Sequence, residues 1–139
     1  MDTEITKRLI KSIKVHEGFS STPYTDSTGH MTIYWGHNLD TPALSNSELT
    51  LRSDISIATH DLVEFLPMVL KIGDVRLSVL IEMVFNLGIE KFKEFKGVIS
   101  AVERHDFDQA ASAMLDSLWA KEVHTRARDM AKVMKDGHY

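Results

Sequence analysis

The chain contains no cysteine among its 139 residues. Disulfide bonds and thiolate metal sites are therefore excluded. Long apolar runs are also lacking, since no stretch approaches the roughly 18 apolar residues of a membrane-spanning helix. The N-terminus shows no apolar core of a signal peptide. We therefore expect a protein that is made in a cytoplasm without a signal peptide and is not inserted into a membrane.

Positive charge does not predominate, since 16 Lys and Arg stand against 20 Asp and Glu and the net charge is −4. No stretch forms a basic stripe that could contact many phosphates, so counterion release would contribute little to nucleic-acid binding. None of the seven histidines lies at helical i, i+4 spacing from another, and no metal site is expected. A hydrophobic content of 43% in a chain of this length favours one compact unit with its own core.

Two amphipathic helices are predicted in the first half of the chain. Asp2 or Thr3 can cap the first helix, which ends at Glu17 and has an apolar face of Ile5, Leu9, Ile10 and Ile13. A second helix, about 46–66, is opened by the capping box Ser45-x-x-Glu48 and ended by Pro67. Its single apolar stripe of Leu51, Ile55, Ala58 and Leu62 is typical of a connector between two lobes.

The second half of the chain is predicted to be helical throughout. Asp74 and Gly88 bound a helix that is apolar nearly all round and must be buried. Apolar residues from Phe92 to Val102 predict another helix, Asp106 caps the next, and a basic helix follows Thr125. One small β element followed by many helices is typical of the α+β class.

The stretch from Glu17 to His37 carries the candidate chemistry. Asp26 precedes a Ser-Thr-Gly turn, and Thr32 lies in the β-branched and aromatic run after it, which together predict a β-hairpin. Glycosidic-bond hydrolysis needs two carboxylates in unlike surroundings, one protonated and one ionised. Glu17 beside an apolar helix end and Asp26 among hydroxyls fit this requirement, although an Asp in such a turn can also be purely structural.

The pattern His-Glu-Gly-Phe, Tyr-x-Asp-x-x-Gly and Thr-Ile-x-x-Gly-His resembles the signature of the phage-type lysozymes, the muramidase endolysins of tailed bacteriophages. The resemblance continues through Met83 to Gly88 and then at Phe95, Ala110, Ala111, Trp119 and Arg126. It implies a lysozyme-like fold: a β lobe at about 17–46, a connecting helix, and a helical lobe at about 67–139 that includes the N-terminal helix.

The resemblance also implies roles for individual residues. Glu17, Asp26 and Thr32 would be catalytic, and Arg126 would pair with Glu17. His37 would form a structural ion pair with Asp54, and we expect that pair to lower the pKa of Asp54.

The candidate substrate-binding residues are Tyr34, Gly36, Phe85 and Asn86. The resemblance places Phe85 and Asn86 at the family's cleft, although Phe85 can equally be plain core. Two positions depart from the family pattern: Tyr34 replaces a glycine, and Glu82 replaces a small or amide residue. Strand alternation would place Tyr34 on the face of Thr32, narrowing the cleft, while Trp35 packs into the small lobe.

We therefore expect a monomeric muramidase that needs no cofactor. It would cut the β-1,4 bond between N-acetylmuramic acid and N-acetylglucosamine in peptidoglycan with inversion, and it would reach the cell wall after release from the host cytoplasm. The alternative is a lysozyme-like glycan-binding or virion protein without turnover, because Tyr34 obstructs the cleft.

Overall fold

The computed structural model describes residues 1–139 and joins a small three-stranded antiparallel sheet to a larger helical part. The predicted α+β, lysozyme-like class is therefore confirmed. The elements in chain order are α1 Thr3–Glu17, β1 Ser20–Thr25, β2 Met31–Tyr34, β3 His37–Asn38, α2 Ser47–Phe65, a 3-10 helix Pro67–Lys71, α3 Asp74–Leu87, α4 Ile89–Phe92, α5 Lys96–Glu103, α6 Phe107–Leu115, α7 Leu118–Glu122 and α8 His124–Asp136.

Helix α1 ends with Glu17 as its last residue, as predicted. The carboxylate of Asp2 caps the first turn by accepting hydrogen bonds from the amides of Glu4 and Ile5. Gly18 ends the helix with a φ of 69°, a left-handed conformation that glycine adopts without a steric penalty. The carboxylate of Glu17 therefore lies where the chain passes from helix α1 to strand β1.

The sheet has the order β1-β2-β3. Strands β1 and β2 form the predicted hairpin, with Tyr24 opposite Thr32 and Thr25 opposite Met31. The short strand β3 was not predicted and pairs back on β2, with His37 opposite Ile33. This second pairing fixes the part of the chain that carries Gly36 and His37.

Helix α2 connects the sheet to the helical part and buries its predicted stripe of Leu51, Ile55, Ala58 and Leu62. The predicted capping box is wrong by one residue. Asn46, not Ser45, is the N-cap, and its side chain accepts from the amide of Leu49 at 2.9 Å. Glu48 instead forms an ion pair with Lys14.

Helix α3 is the central helix, with Leu80, Ile81 and Met83 fully buried among neighbouring helices. It ends at Gly88, as predicted. Asp74 does not cap it, because Gly73 is the N-cap and the Asp74 carboxylate accepts from the Asp2 amide at 2.7 Å. The carboxylate therefore ties the start of α3 to the start of α1.

The remaining helices are shorter than the pattern predicts. The single helix expected from Phe92 to Val102 is two helices, α4 and α5, separated by residues 93–95. Asp106 caps α6 as predicted by accepting from the Gln109 amide at 3.1 Å, and α7 was not predicted. None of the helices combines the length and apolarity that crossing a bilayer requires.

Candidate active site

A cleft of about 580 Å³ lies between the hairpin and the C-terminal end of α3. The residues that line it include all three predicted catalytic residues and three of the four predicted substrate-binding residues: Glu17, Asp26, Thr32, Gly36, Phe85 and Asn86. The structure therefore brings together side chains that are up to 69 positions apart between Glu17 and Asn86.

Glu17 lines this cleft and is largely buried, with 16% of its side chain exposed. Its Oε1 atom lies 3.1 Å from Nη1 of the buried Arg126, which is the ion pair that the family resemblance implies. Its other carboxylate oxygen rests against Gly36, where an added Cβ would come within 2.7 Å of Oε2. The position of the Glu17 carboxylate thus depends on a guanidinium on one side and on the absence of a side chain on the other.

Asp26 sits at the hairpin turn and is held by hydrogen bonds to one oxygen. Its Oδ1 accepts from the Thr28 amide at 2.9 Å, the Thr28 hydroxyl at 2.8 Å and the His30 amide at 2.9 Å. Burial acts to raise the pKa of Asp26, but these bonds outweigh it and lower the pKa below its ordinary value. Asp26 therefore stabilises the hairpin turn and also presents an ionised carboxylate to the cleft.

Thr32 is buried, with 3% exposure, and its hydroxyl donates to the His30 carbonyl at 3.0 Å. A hydroxyl whose only proton is already donated can act towards the cleft solely as an acceptor. Thr32 can therefore accept a hydrogen bond from a water molecule but cannot donate one to it.

Asn86 and Phe85 form the opposite wall of the cleft. The Asn86 side-chain oxygen accepts from Trp119 Nε1 at 2.6 Å. Because the indole nitrogen is only a donor, this bond fixes the amide orientation and leaves the Asn86 NH₂ group for other partners. Phe85 lines the cleft and also packs against the core, so both interpretations of this residue hold.

His37 pairs with Asp54 as predicted, at 2.7 Å between Nδ1 and Oδ2. Its Nε2 must carry a proton, because it lies 2.7 Å from the Thr41 carbonyl, which only accepts. The expected lowering of the Asp54 pKa is wrong: burial raises it, and the hydrogen bond and charge of His37 do not fully offset burial. The pair nevertheless joins β3 to α2.

Tyr34 does not lie where strand alternation predicts. Its φ of 57° breaks the extended conformation at the end of β2, and the residue is absent from the cleft lining. Its ring stacks on Phe19 with centroids 6.1 Å apart, and Phe19 also contacts Trp35 at 4.8 Å. The predicted orientation of Tyr34 is therefore corrected, while Trp35 packs partly against the core.

Tyr24 is a cleft residue that the sequence analysis did not select. Burial raises its pKa, and the charges of Glu17 and Asp26 raise it further. The phenol therefore lies within the electrostatic reach of both carboxylates. Tyr24 is the first residue of the Tyr-x-Asp-x-x-Gly motif, and this position could have identified it as a cleft residue.

A second charged cluster, centred on the buried Glu82, was also missed. Glu82 is 2% exposed and accepts at Oε1 from Ser12 Oγ at 2.5 Å. Its Oε2 lies 2.6 Å from His16 Nδ1 and 3.0 Å from Arg126 Nε. The other nitrogen of His16 lies 3.0 Å from Oδ2 of Asp129.

The protonation states of this cluster follow from its contacts. Burial acts to raise the pKa of Glu82, but the His16 hydrogen bond, the Arg126 charge and the Ser12 hydrogen bond together lower it. The hydrogen bond to Glu82 raises the pKa of His16 against the effect of burial. The sequence signal was an acid in the middle of the apolar run from Val79 to Phe85, because a buried charge needs partners.

Two comparisons with known proteins bear on the family to which the chain belongs. The family model described as phage lysozyme matches residues 14–133. The chain is also 28% identical over 97 residues to "Probable T4-type lysozyme 1" of Dictyostelium discoideum, covering 67% of this chain. The chain spans 56% of the length of that relative. The match from α1 to α8, which includes every residue of the cleft, shows that the chain belongs to the phage lysozyme family.

Proposed function

We propose that the protein is a muramidase that hydrolyses the β-1,4 bond between N-acetylmuramic acid and N-acetylglucosamine in bacterial peptidoglycan, with inversion at the anomeric carbon. The observation that carries the proposal is the presence of Glu17 and Asp26 in one cleft in unlike surroundings. One carboxylate rests against Gly36 and Arg126, and the other accepts three hydrogen bonds in the hairpin turn.

Glu17 acts as the general acid. In its protonated form it donates to the oxygen of the leaving sugar, because an alkoxide is too poor a leaving group to depart unassisted. Arg126 Nη1, 3.1 Å from Oε1, then stabilises the carboxylate that the donation leaves behind. The guanidinium cannot itself donate the proton, since it stays charged at every accessible pH.

Asp26 and Thr32 act on water from the opposite face of the sugar ring. The ionised Asp26 accepts one proton of the water as general base, and the Thr32 hydroxyl accepts a hydrogen bond from the other. With both hydrogens held, a lone pair of the water oxygen can face the anomeric carbon. Attack on the side opposite to the leaving group inverts the configuration.

The cleft also carries groups that suit an N-acetylated glycan. The free NH₂ group of Asn86 can donate to an acetamido or hydroxyl oxygen, and Phe85 and Tyr24 offer apolar surface to a sugar ring. The alternative of glycan binding without turnover requires that Tyr34 obstruct the cleft. The ring of Tyr34 stacks on Phe19 instead, so no contact supports that alternative.

We also propose that the protein degrades the host cell wall after release from the cytoplasm in which it is made. No cofactor enters the mechanism, because acid, base and nucleophile are two side chains and water.

The test is to digest purified peptidoglycan, reduce the new chain ends with borohydride and identify the reduced sugar. Cleavage at the proposed bond converts muramic acid into its alditol. Reduced glucosamine would show a glucosaminidase and refute the bond assignment. NMR of the fresh product would show the α-anomer, and a β-anomer would refute inversion and the role given to Asp26.

A further inference from the structure

Arg126 has two carboxylate partners on opposite sides. Its Nη1 lies 3.1 Å from Glu17 Oε1, and its Nε lies 3.0 Å from Glu82 Oε2. The guanidinium is 6% exposed, so little solvent screens either contact. One positive charge is therefore divided between the cleft carboxylate and a buried carboxylate behind it.

His16 controls how strongly Glu82 competes for that charge. When both ring nitrogens carry protons, Nδ1 donates to Glu82 and Nε2 donates to Asp129. The imidazolium then neutralises much of the charge on Glu82. When His16 loses the Nε2 proton, Nδ1–H can still donate to Glu82, but the positive charge of the ring is gone and Arg126 is the one cation left in contact with that carboxylate.

We propose that Glu82 and His16 are positioning residues that set, through Arg126, the pH range over which Glu17 holds its proton. This inference rests on the proposed function of Glu17 as general acid. Glu82 contacts the same guanidinium that stabilises ionised Glu17. Its negative charge weakens that stabilisation and so favours the protonated form of Glu17. The positive charge of His16 acts in the opposite sense by neutralising Glu82.

The polar and titratable groups around the pair come from three helices and from Tyr139, which follows the last of them. Glu82 on α3 faces Ser12 and His16 from α1 and Arg126 from α8, and His16 also faces Asp129 from α8. Arg8, Lys11 and Tyr139 border the same surface hollow of about 220 Å³. The Asp129 side chain is 58% exposed, so His16 can exchange its proton with solvent from the side away from the cleft.

The test replaces each member of the pair by glutamine and measures the pH dependence of peptidoglycan hydrolysis. In Glu82→Gln, Glu17 is the one carboxylate that still contacts Arg126, so the ionised form of Glu17 is better stabilised. The alkaline limb of the pH–rate profile should therefore move to lower pH by about half a unit. The change is smaller than the roughly one to three units of a directly contacting charge, because Glu82 acts through Arg126. His16→Gln should move the same limb to higher pH.

A merely structural role would lower activity at every pH without opposite movements of the limb. The double variant Glu82→Gln/His16→Gln removes both charges and should return the limb to within a few tenths of a unit of wild type. Glu103→Gln is the charge control, because this exposed residue of α5 forms no ion pair and should leave the profile unchanged.

The titration of the Glu17 carboxyl carbon, followed by NMR on the full chain, gives a readout that does not depend on hydrolysis. Opposite movements of the midpoint in the two single variants support the inference even if the protein cleaves no glycan. An unchanged midpoint in folded Glu82→Gln, or movements of the same sign, would overturn it while leaving the proposed hydrolysis intact. If His16→Gln does not fold, the Glu82→Gln result alone decides.

Discussion

Replacing Gly36 by alanine should slow hydrolysis with only a modest loss of stability. A Cβ at this position would lie 2.7 Å from Glu17 Oε2, whereas ordinary contact begins at 3.4 Å. The carboxylate must therefore move by about 0.7 Å, which also disturbs its 3.1 Å contact with Arg126. The backbone at Gly36 has a φ of 69°, a conformation that costs an alanine about 1–2 kcal/mol.

The loss of activity can be sized from that displacement. A misplacement of about 1 Å in a reacting group can cost on the order of a hundredfold in rate. A shift of 0.7 Å should accordingly cost about ten- to a hundredfold, or roughly 1.4–2.7 kcal/mol in activation free energy. The decline of turbidity of a peptidoglycan suspension gives the rate, and urea unfolding gives the free energy of unfolding.

Gly73→Ala is the matched control. Gly73 also has a positive φ, 86°, but an added Cβ would meet nothing within 4 Å. It lies at the other end of α3 from the cleft, roughly 20 Å away along the helix. This variant should lose stability and keep its activity. Wild-type activity in folded Gly36→Ala would refute the claim that Gly36 positions Glu17.

Three further predictions follow from local contacts. Thr28→Val removes a hydrogen bond that lowers the pKa of Asp26, so the acidic limb of the pH–rate profile should move to higher pH; an unmoved limb would contradict the role of Asp26 as base. Because the pKa of Asp54 is raised, folding favours its protonated form. Its contribution to stability is therefore present below the ordinary pKa of 3.8 and is lost as pH rises through the higher pKa of the folded state. Asp54→Asn, which imitates the protonated form beside His37, should gain stability relative to wild type from about pH 4 upwards, and a difference that is constant with pH would contradict this. Asn46→Ala should lower the free energy of unfolding by about 1 kcal/mol, and no loss would show that the cap of α2 contributes nothing.

Local signals were sufficient to predict most of the fold. The cap at Asp2, the apolar stripe of α2 and the stop at Gly88 each depend on residues within a few positions of one another. The cap of α2 was misplaced by one residue because Ser45 and Asn46 are both good caps and stand side by side. Propensity alone does not choose between neighbours of equal quality.

The errors at the site arise where tertiary contacts override local rules. Strand alternation assumes extended backbone, and Tyr34 leaves it with a φ of 57° to stack on Phe19. The pKa of Asp54 depends on how deeply α2 buries it, which spacing does not reveal.

The partners of Glu82 illustrate the same limit over longer distances. They lie 70, 66 and 44 positions away at Ser12, His16 and Arg126. The apolar setting of Glu82 in α3 shows that it must be paired, but only the packing of three helices determines with what.

The most direct test of the proposed chemistry is the release of reducing ends from purified peptidoglycan by wild type and by Glu17→Gln, with folding of both confirmed by circular dichroism. Glutamine fills the same space against Gly36 and can still contact Arg126, but it cannot donate a proton to the leaving oxygen. We expect wild type to release muramic acid ends and the variant to be slower by at least about a hundredfold, the lower range for loss of a general acid. Activity of the folded variant within tenfold of wild type would contradict the assignment of Glu17 as the acid.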